Sequence, residues 1–247
     1  MAVVYEKSIG LTDRRLHYCP GCTHGIVHKL LAECMVELGV LDTSIGCASV
    51  GCTGLSCDYF NCDMVQCAHG RAPAVATALK RVHPDSFVWT YQGDGDLASI
   101  GTAEIIHAAH RSEKITTLFV NNAIYGMTGG QMAPTTLIGQ KTTTSPMGRD
   151  PATAGEPIRV CEMMAAIPGT KFAERVALDT PAHIRQAKTV IKKAMQCQLS
   201  GVGFAIVEIL STCPTNWGLS PVNAQKWLRE NMIPYYPLGN FKNCMDK

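Results

Sequence analysis

Two short stretches of the sequence concentrate residue types that can do chemistry. The first is Tyr91-Gln92-Gly93-Asp94-Gly95-Asp96. Glycines at 93 and 95 let the backbone turn sharply and approach a bulky anion, and a helix that follows offers unpaired N–H groups and the positive end of its dipole. An acidic side chain in the middle of an anion site is counterproductive unless a cation separates the two charges. Asp94 therefore points to Mg²⁺, a hard ion that takes carboxylate, carbonyl and phosphate oxygens together. Asn121-Asn122, at the end of the next apolar run, stands where the second half of such a site belongs. Gly-Asp-Gly alone is a common turn; the paired asparagines one helix and one strand later make it specific.

The second stretch is Cys19-Pro20-Gly21-Cys22, a C-x-x-C pair on a turn. Zinc, a thioredoxin-like redox pair and an iron–sulfur ligand pair are its three readings. The polar segment before Tyr18 lacks the strand that a thioredoxin-like pair follows, and no second C-x-x-C exists for zinc. Two scattered cysteines must complete any metal site. Cys47, Cys52, Cys57, Cys62 and Cys67 recur every five residues, a period of neither helix nor strand. Cys57, Cys62 and Cys67 read as small buried hydrophobes, as do Cys34, Cys161, Cys197 and Cys244.

These groups need a scaffold, and the chain reads as α/β. Runs rich in Val, Ile and Phe predict strands at 87–92, 115–121, 171–177 and 203–210, alternating with helices at 23–38, 97–111, 181–198 and 221–230. That alternation predicts a mostly parallel sheet with helices on both faces, and both motifs then lie at carboxyl ends of strands, where such sheets bind ligands. Thr180-Pro181 and Ser220-Pro221 are helix starts, a hydroxyl cap followed by proline. Residues 125–156, rich in Gly, Thr and Pro, form a long loop, a length more often functional than idle. No repeat or linker divides residues 1–247, so a single domain is expected.

Composition narrows the class. With 247 residues, 46% hydrophobic and 17% charged, the chain can bury a full core. A formal charge of +2 without basic runs sets nucleic acid aside as a partner. Residues 1–16 carry charges at Glu6, Lys7, Asp13, Arg14 and Arg15, and no apolar run reaches membrane-spanning length. The reading is a cytoplasmic protein, its 12 cysteines reduced or metal-bound.

Gly93-Asp94-Gly95 followed by Asn121-Asn122 resembles the diphosphate-binding motif of thiamine-diphosphate enzymes. Cys19-Pro20-Gly21-Cys22 with His24-Gly25, then His69-Gly70-Arg71-Ala72, then Gly93-Asp94-Gly95 resembles the β subunit of 2-oxoacid:ferredoxin oxidoreductases. The resemblance runs from Cys19 to Phe241 and implies the diphosphate domain of the thiamine-diphosphate-binding fold. It implies that Asp94, Asn122 and the carbonyl of Ile124 hold Mg²⁺. Gly93, Gly95 and Asp96 would shape the diphosphate pocket, and Tyr125, Gly126, Met127 and Thr128 would close over it. Cys19, Cys22, Cys52 and Cys213 would hold a [4Fe-4S] cluster, with Cys52 in the turn Val50-Gly51-Cys52-Thr53 and Cys47 as its alternative. His69 would touch the cofactor as a catalytic residue, Arg71 would brace the fold, and Lys141 would face a substrate carboxylate.

The activity so implied is CoA-acylating oxidative decarboxylation of a 2-oxoacid in anaerobic metabolism, giving acyl-CoA, CO₂ and reduced ferredoxin. The stretch MTGGQMAPTT with GQKTTTSP resembles subunits for branched-chain 2-oxoacids first and 2-oxoglutarate next. A pyrimidine-binding domain and a ferredoxin cluster motif are both missing from the sequence, so an α subunit and a ferredoxin-like subunit are expected in a hetero-oligomer. Two rival classes remain: a non-redox thiamine-diphosphate decarboxylase or synthase, which leaves the cysteines idle, and a zinc-stabilised binding module, which leaves Asp94 and Asn122 idle.

Overall fold

The computed structural model describes residues 6–245; residues 1–5 and 246–247, part of the expected unit 1–247 and of its charged N-terminal segment, lie outside the described residues. Seven strands form one sheet: β1 Ser44–Ala48, β2 Asp63–Gln66, β3 Phe87–Gly93, β4 Thr116–Asn121, β5 Thr170–Ala177, β6 Phe204–Leu210 and β7 Gly239–Asn243, in the order β2-β1-β3-β4-β6-β5-β7. Every pairing is parallel except that of β7 with β5.

Strand side chains alternate between two cores because successive Cβ atoms leave opposite faces. Trp89, Tyr91, Leu118, Val120, Val207 and Ile209 pack on one face beneath α1 (His24–Glu37). Val88, Phe119, Phe204 and Ile206 pack on the other, against α2 (Ala72–Val82), α3 (Thr102–His110) and, beyond the short α4 (Pro151–Ala154), α5 (Val160–Ala166). α6 (Pro181–Leu199) joins α1 on the first face. Truncating a fully buried side chain such as Leu118 to alanine would cost ~2–5 kcal/mol. Among the described residues no helix is long and apolar enough to cross a membrane.

The four expected strands and helices 23–38 and 181–198 stand within a residue or two of their sequence limits. Both hydroxyl caps form: Thr180 Oγ1 accepts from His183 N at 3.1 Å and Ser220 Oγ from Asn223 N at 3.3 Å. Two helices differ. The segment expected at 97–111 is a wide turn, Asp96–Ile100, that breaks at Gly101 before α3 begins. Gly101 lies backbone to backbone against Gly70, a close approach that leaves no room for a side chain. The C-terminal helix α8 (Pro221–Trp227), which follows the single turn α7 (Pro214–Trp217), passes into a second wide turn, Leu228–Met232. Strands β1, β2 and β7 were not expected. β1 reads Ser-Ile-Gly-Cys-Ala because it runs beside Trp89, where a Cβ on Gly46 would collide with the indole.

Candidate functional site

Strands β3 and β4 lie side by side, so Gly93 stands opposite Val120 and their exits meet at one sheet end. Asp94 leaves β3 almost wholly buried. Its Oδ1 accepts from Gly95 N at 2.8 Å, and its Oδ2 accepts from Ile124 N at 3.2 Å and Thr135 Oγ1 at 2.6 Å. Burial nevertheless pushes its carboxyl up to about 6. A carboxylate held so unfavourably is a site that a cation would relieve.

Across from it, Asn121 and Asn122 have different fates. Asn121 Nδ2 donates to Glu208 Oε1 at 2.8 Å, and its Oδ1 accepts from Ala123 N at 3.1 Å. Glu208 is fully buried and paired with the equally buried Arg175 at 2.9 Å. This chain of contacts holds Ala123 at φ 57°, a left-handed conformation that costs energy for any residue with a Cβ. Thr136 Oγ1 and Gln140 Nε2 both donate to the Ala123 carbonyl, at 2.7 and 3.2 Å, and fix the turn from the far side. Asn122 Oδ1 is buried with no hydrogen-bond partner. An orphaned amide oxygen beside a buried carboxylate is an oxygen donor set suited to a hard cation.

A cleft of about 140 Å³ opens over these groups. Every residue expected at the cofactor lines it: Val50, Gly51, Cys52, His69, Gly93, Asp94, Gly95, Asp96, Asn122, Ile124, Tyr125, Gly126, Met127 and Thr128. At Gly51 and Gly93 a Cβ would meet open space, so the backbone itself forms part of the cradle. Asp96 is buried and fully occupied: Oδ1 accepts from Ser49 Oγ at 2.7 Å, His69 Nδ1 at 2.5 Å and Gly70 N at 2.6 Å, and Oδ2 from Gln92 Nε2 at 2.7 Å. It acts by fixing the His69 ring and the floor of the cleft. Tyr125 packs its ring on Gly95 and donates its hydroxyl to the Gly95 carbonyl at 3.1 Å, tying the loop to the turn.

A second cavity of about 250 Å³ adjoins the first and shares His24, Cys52, Asn122, Gly126 and Met127 with it. Cys19, Cys22, Cys52 and Cys213 line this cavity together, from three separate places in the chain. A Cβ on Gly126 would sit 3.4 Å from Cys213 Sγ and 3.7 Å from Cys52 Sγ. Burial pushes the Cys22 thiol up to about 12 and that of Cys52 to about 11, and it raises Cys213 as well; the neighbouring thiols add to each shift. Among the described residues no three or more metal-binding side chains gather around one point. Cysteine thiols around a common volume are the donors of a zinc ion and of an iron–sulfur cluster alike.

Cys47 is elsewhere. It lies on β1, fully buried in the core beneath α2 and α3, in the same cluster as Cys67, and lines neither cavity. Cys62 is half-buried with its thiol 3.9 Å from Met64 Sδ. Arg71 pairs with Glu104 on α3. Lys141 is exposed and lines neither cavity.

Several site residues were not singled out from sequence. Thr135 and Thr136 were legible only as loop threonines; their hydroxyls secure Asp94 and Ala123. Trp217 Nε1 donates to the Asn122 carbonyl at 3.1 Å. His24, buried between the two cavities with Nδ1 2.5 Å from the Tyr91 hydroxyl, carries a pKa lowered by burial to about 4 and is neutral. The signal that could have found it was its place two residues after Cys22.

Comparison with known proteins accords with this geometry. Residues 44–209 match the family model "Thiamine pyrophosphate enzyme, C-terminal TPP binding domain". Ketoisovalerate oxidoreductase subunit VorA of Methanothermobacter thermautotrophicus is 49% identical over 97% of this chain, which spans 50% of that relative's length. The 2-oxoglutarate synthase subunit KorB of Methanocaldococcus jannaschii is 39% identical, the match covering 90% of this chain and 80% of that one. A solved 2-oxoglutarate:ferredoxin oxidoreductase from Magnetococcus marinus, with 2-oxoglutarate, coenzyme A and succinyl-CoA bound, superposes with a TM-score of 0.79 at 27% identity, covering 92% of this chain and 73% of its own. The chain belongs to the thiamine-pyrophosphate-binding subunits of the 2-oxoacid:ferredoxin oxidoreductase family.

Proposed function

We propose that this chain, as one thiamine-diphosphate-binding domain, carries out the CoA-acylating oxidative decarboxylation of a 2-oxoacid together with partner subunits. The observation that carries the reading is the shared wall: the cleft with Asp94 and Asn122 and the cavity with Cys19, Cys22, Cys52 and Cys213 have five residues in common. Thiamine diphosphate, when bound, supplies the carbon centre that attacks a 2-oxoacid carbonyl and takes up the electrons released with CO₂. Those electrons must leave one at a time, and a [4Fe-4S] cluster on the four cysteines would receive them across that wall.

The chain's own residues divide the remaining work. Asp94, Asn122 Oδ1 and the Ile124 carbonyl would hold Mg²⁺, which neutralises the charge of the diphosphate. Gly51 and Gly93 let backbone approach it, Gly95 admits the Tyr125 ring, and residues 125–128 cover it. His69, fixed through Nδ1 by Asp96, lines the cleft where the cofactor would lie. Cys52 rather than Cys47 is the third cluster ligand. The α subunit supplies the pyrimidine-binding half of the site, a ferredoxin-like subunit carries electrons away, and the assembly is cytoplasmic. Branched-chain 2-oxoacids rank first as substrates and 2-oxoglutarate second, an order supported by the greater identity to the ketoisovalerate relative.

The test is a panel of 2-oxoacids with CoA and a one-electron acceptor, run anaerobically on the complex and on the isolated chain. Turnover by the complex, fastest with 3-methyl-2-oxobutanoate, and none by the isolated chain is expected. Acceptor-independent release of CO₂ and aldehyde would instead establish the non-redox reading.

A further inference from the structure

Asn216, on the turn α7 after Cys213, touches both halves of the site. Its Nδ2 donates to the Gly126 carbonyl at 2.8 Å and to Cys213 Sγ at 3.3 Å. Its Oδ1 faces Gly130, where a Cβ would come within 3.1 Å, and Gly130 N in turn donates to the Tyr125 carbonyl at 2.9 Å. One planar amide is thus wedged between the loop that covers the cofactor cleft and a sulfur of the cysteine cavity, which it also lines. The wedge is held in place: Trp217, the next residue, donates to the Asn122 carbonyl, so the turn is pinned to the paired asparagines as well.

Resting on the reading that Cys213 is a cluster ligand, we propose that Asn216 is a positioning residue that sets the reduction potential of the cluster and couples it to the cofactor loop. Hydrogen bonds to the sulfurs are among the factors that set cluster potentials, because a donor stabilises the more negative, reduced state. The second bond of the same Nδ2 ends on Gly126, so the strength of the N–H···S contact depends on where residues 125–128 lie. Filling the cofactor cleft fixes that loop and thereby the potential of the electron acceptor beside it. The arrangement would poise the acceptor only when the cofactor is in place.

The experiment is a redox titration of the cluster, followed by electron paramagnetic resonance, in the anaerobically purified complex with and without added thiamine diphosphate. Iron, sulfide and thiamine contents are measured on each sample. Asn216→Leu removes the donor with nearly the same shape, and Asn216→Asp replaces it with an acidic oxygen. Both variants should hold iron and thiamine at wild-type stoichiometry, with midpoint potentials more negative than wild type, further in Asn216→Asp. The wild-type potential should rise when thiamine diphosphate binds, and that rise should vanish in Asn216→Leu. A loaded variant whose potential and cofactor response equal those of wild type would overturn the proposal, and so would loss of the cluster from both variants, which would make Asn216 purely structural. A wild-type complex lacking iron or sulfide would instead overturn the functional reading on which the proposal rests.

Discussion

The cofactor cleft and the cysteine cavity touch, yet they are built in opposite ways. The cleft is assembled from the ends of adjacent central strands, and its acidic groups are over-provided with partners: Asp94 accepts three hydrogen bonds and Asp96 four. The cysteine cavity collects its thiols from the turn before α1, the segment after β1 and the turn after β6, and Asn216 Nδ2 donates to one of them, Cys213. The cleft is therefore preorganised by the sheet, whereas the thiols are brought together by turns and a loop outside it. Burial opposes charge in both, raising Asp94 and the thiols alike, so each site favours its cation over solvent-exposed protons only when the cation arrives.

Breaking one site should leave the other loaded. Cys213→Ser should abolish bound iron while thiamine diphosphate binding changes less than twofold; Cys47→Ser should leave iron at wild-type content, since Cys47 lies in the core. Iron analysis beside a thiamine assay reads both. Asp94→Ala should weaken thiamine diphosphate binding at least ~100-fold, because partners in the second shell alone typically cost ~10–100-fold. Iron content should hold. Thr135→Val keeps the shape but removes the 2.6 Å contact to Asp94 and should weaken binding by ~10-fold in a fluorescence titration.

The pH dependence sharpens the same contrast. With the Asp94 carboxyl near 6, a proton competes with Mg²⁺ below that pH and not above it. Affinity for the Mg²⁺–cofactor pair should be constant above about pH 7 and fall about tenfold per unit below pH 6, as measured by equilibrium dialysis. The smallest effect is a control: Thr180→Ala removes the α6 cap, should cost ~1 kcal/mol in denaturant unfolding, and should alter neither cofactor.

Much of this was legible in the residues. Strands β3 to β6 announce themselves as apolar runs buried on both faces, and the two motifs fix which ends carry the site. β1 and β7 were hidden for opposite reasons: β1 is small-residued because Trp89 crowds it, and β7 is a polar edge strand paired only with β5. Gly101 broke a helix that periodicity had joined, because the constraint is the distant backbone of Gly70. At the site, glycines and acids gave themselves away by type and spacing. Thr135, Thr136 and Gln140 did not, since a loop hydroxyl or amide has meaning only once folding shows which carboxylate or strained carbonyl it reaches. The separate places of Cys47 and Cys52 likewise needed the fold: Cys47 lies on β1 in the core, and Cys52, past the end of that strand, lines the cavity.

The central claim is that one chain holds the thiamine cofactor and a cluster side by side. It is tested most directly by anaerobic iron, acid-labile sulfide, zinc and thiamine analysis of the complex containing the wild-type chain against the same complex containing Cys22→Ser, a cysteine that lines only the second cavity. The account predicts that the substitution removes about four irons and four sulfides per chain, the content of one [4Fe-4S] cluster, with thiamine diphosphate unchanged. Equal iron in the two complexes, or zinc in place of iron, would contradict it.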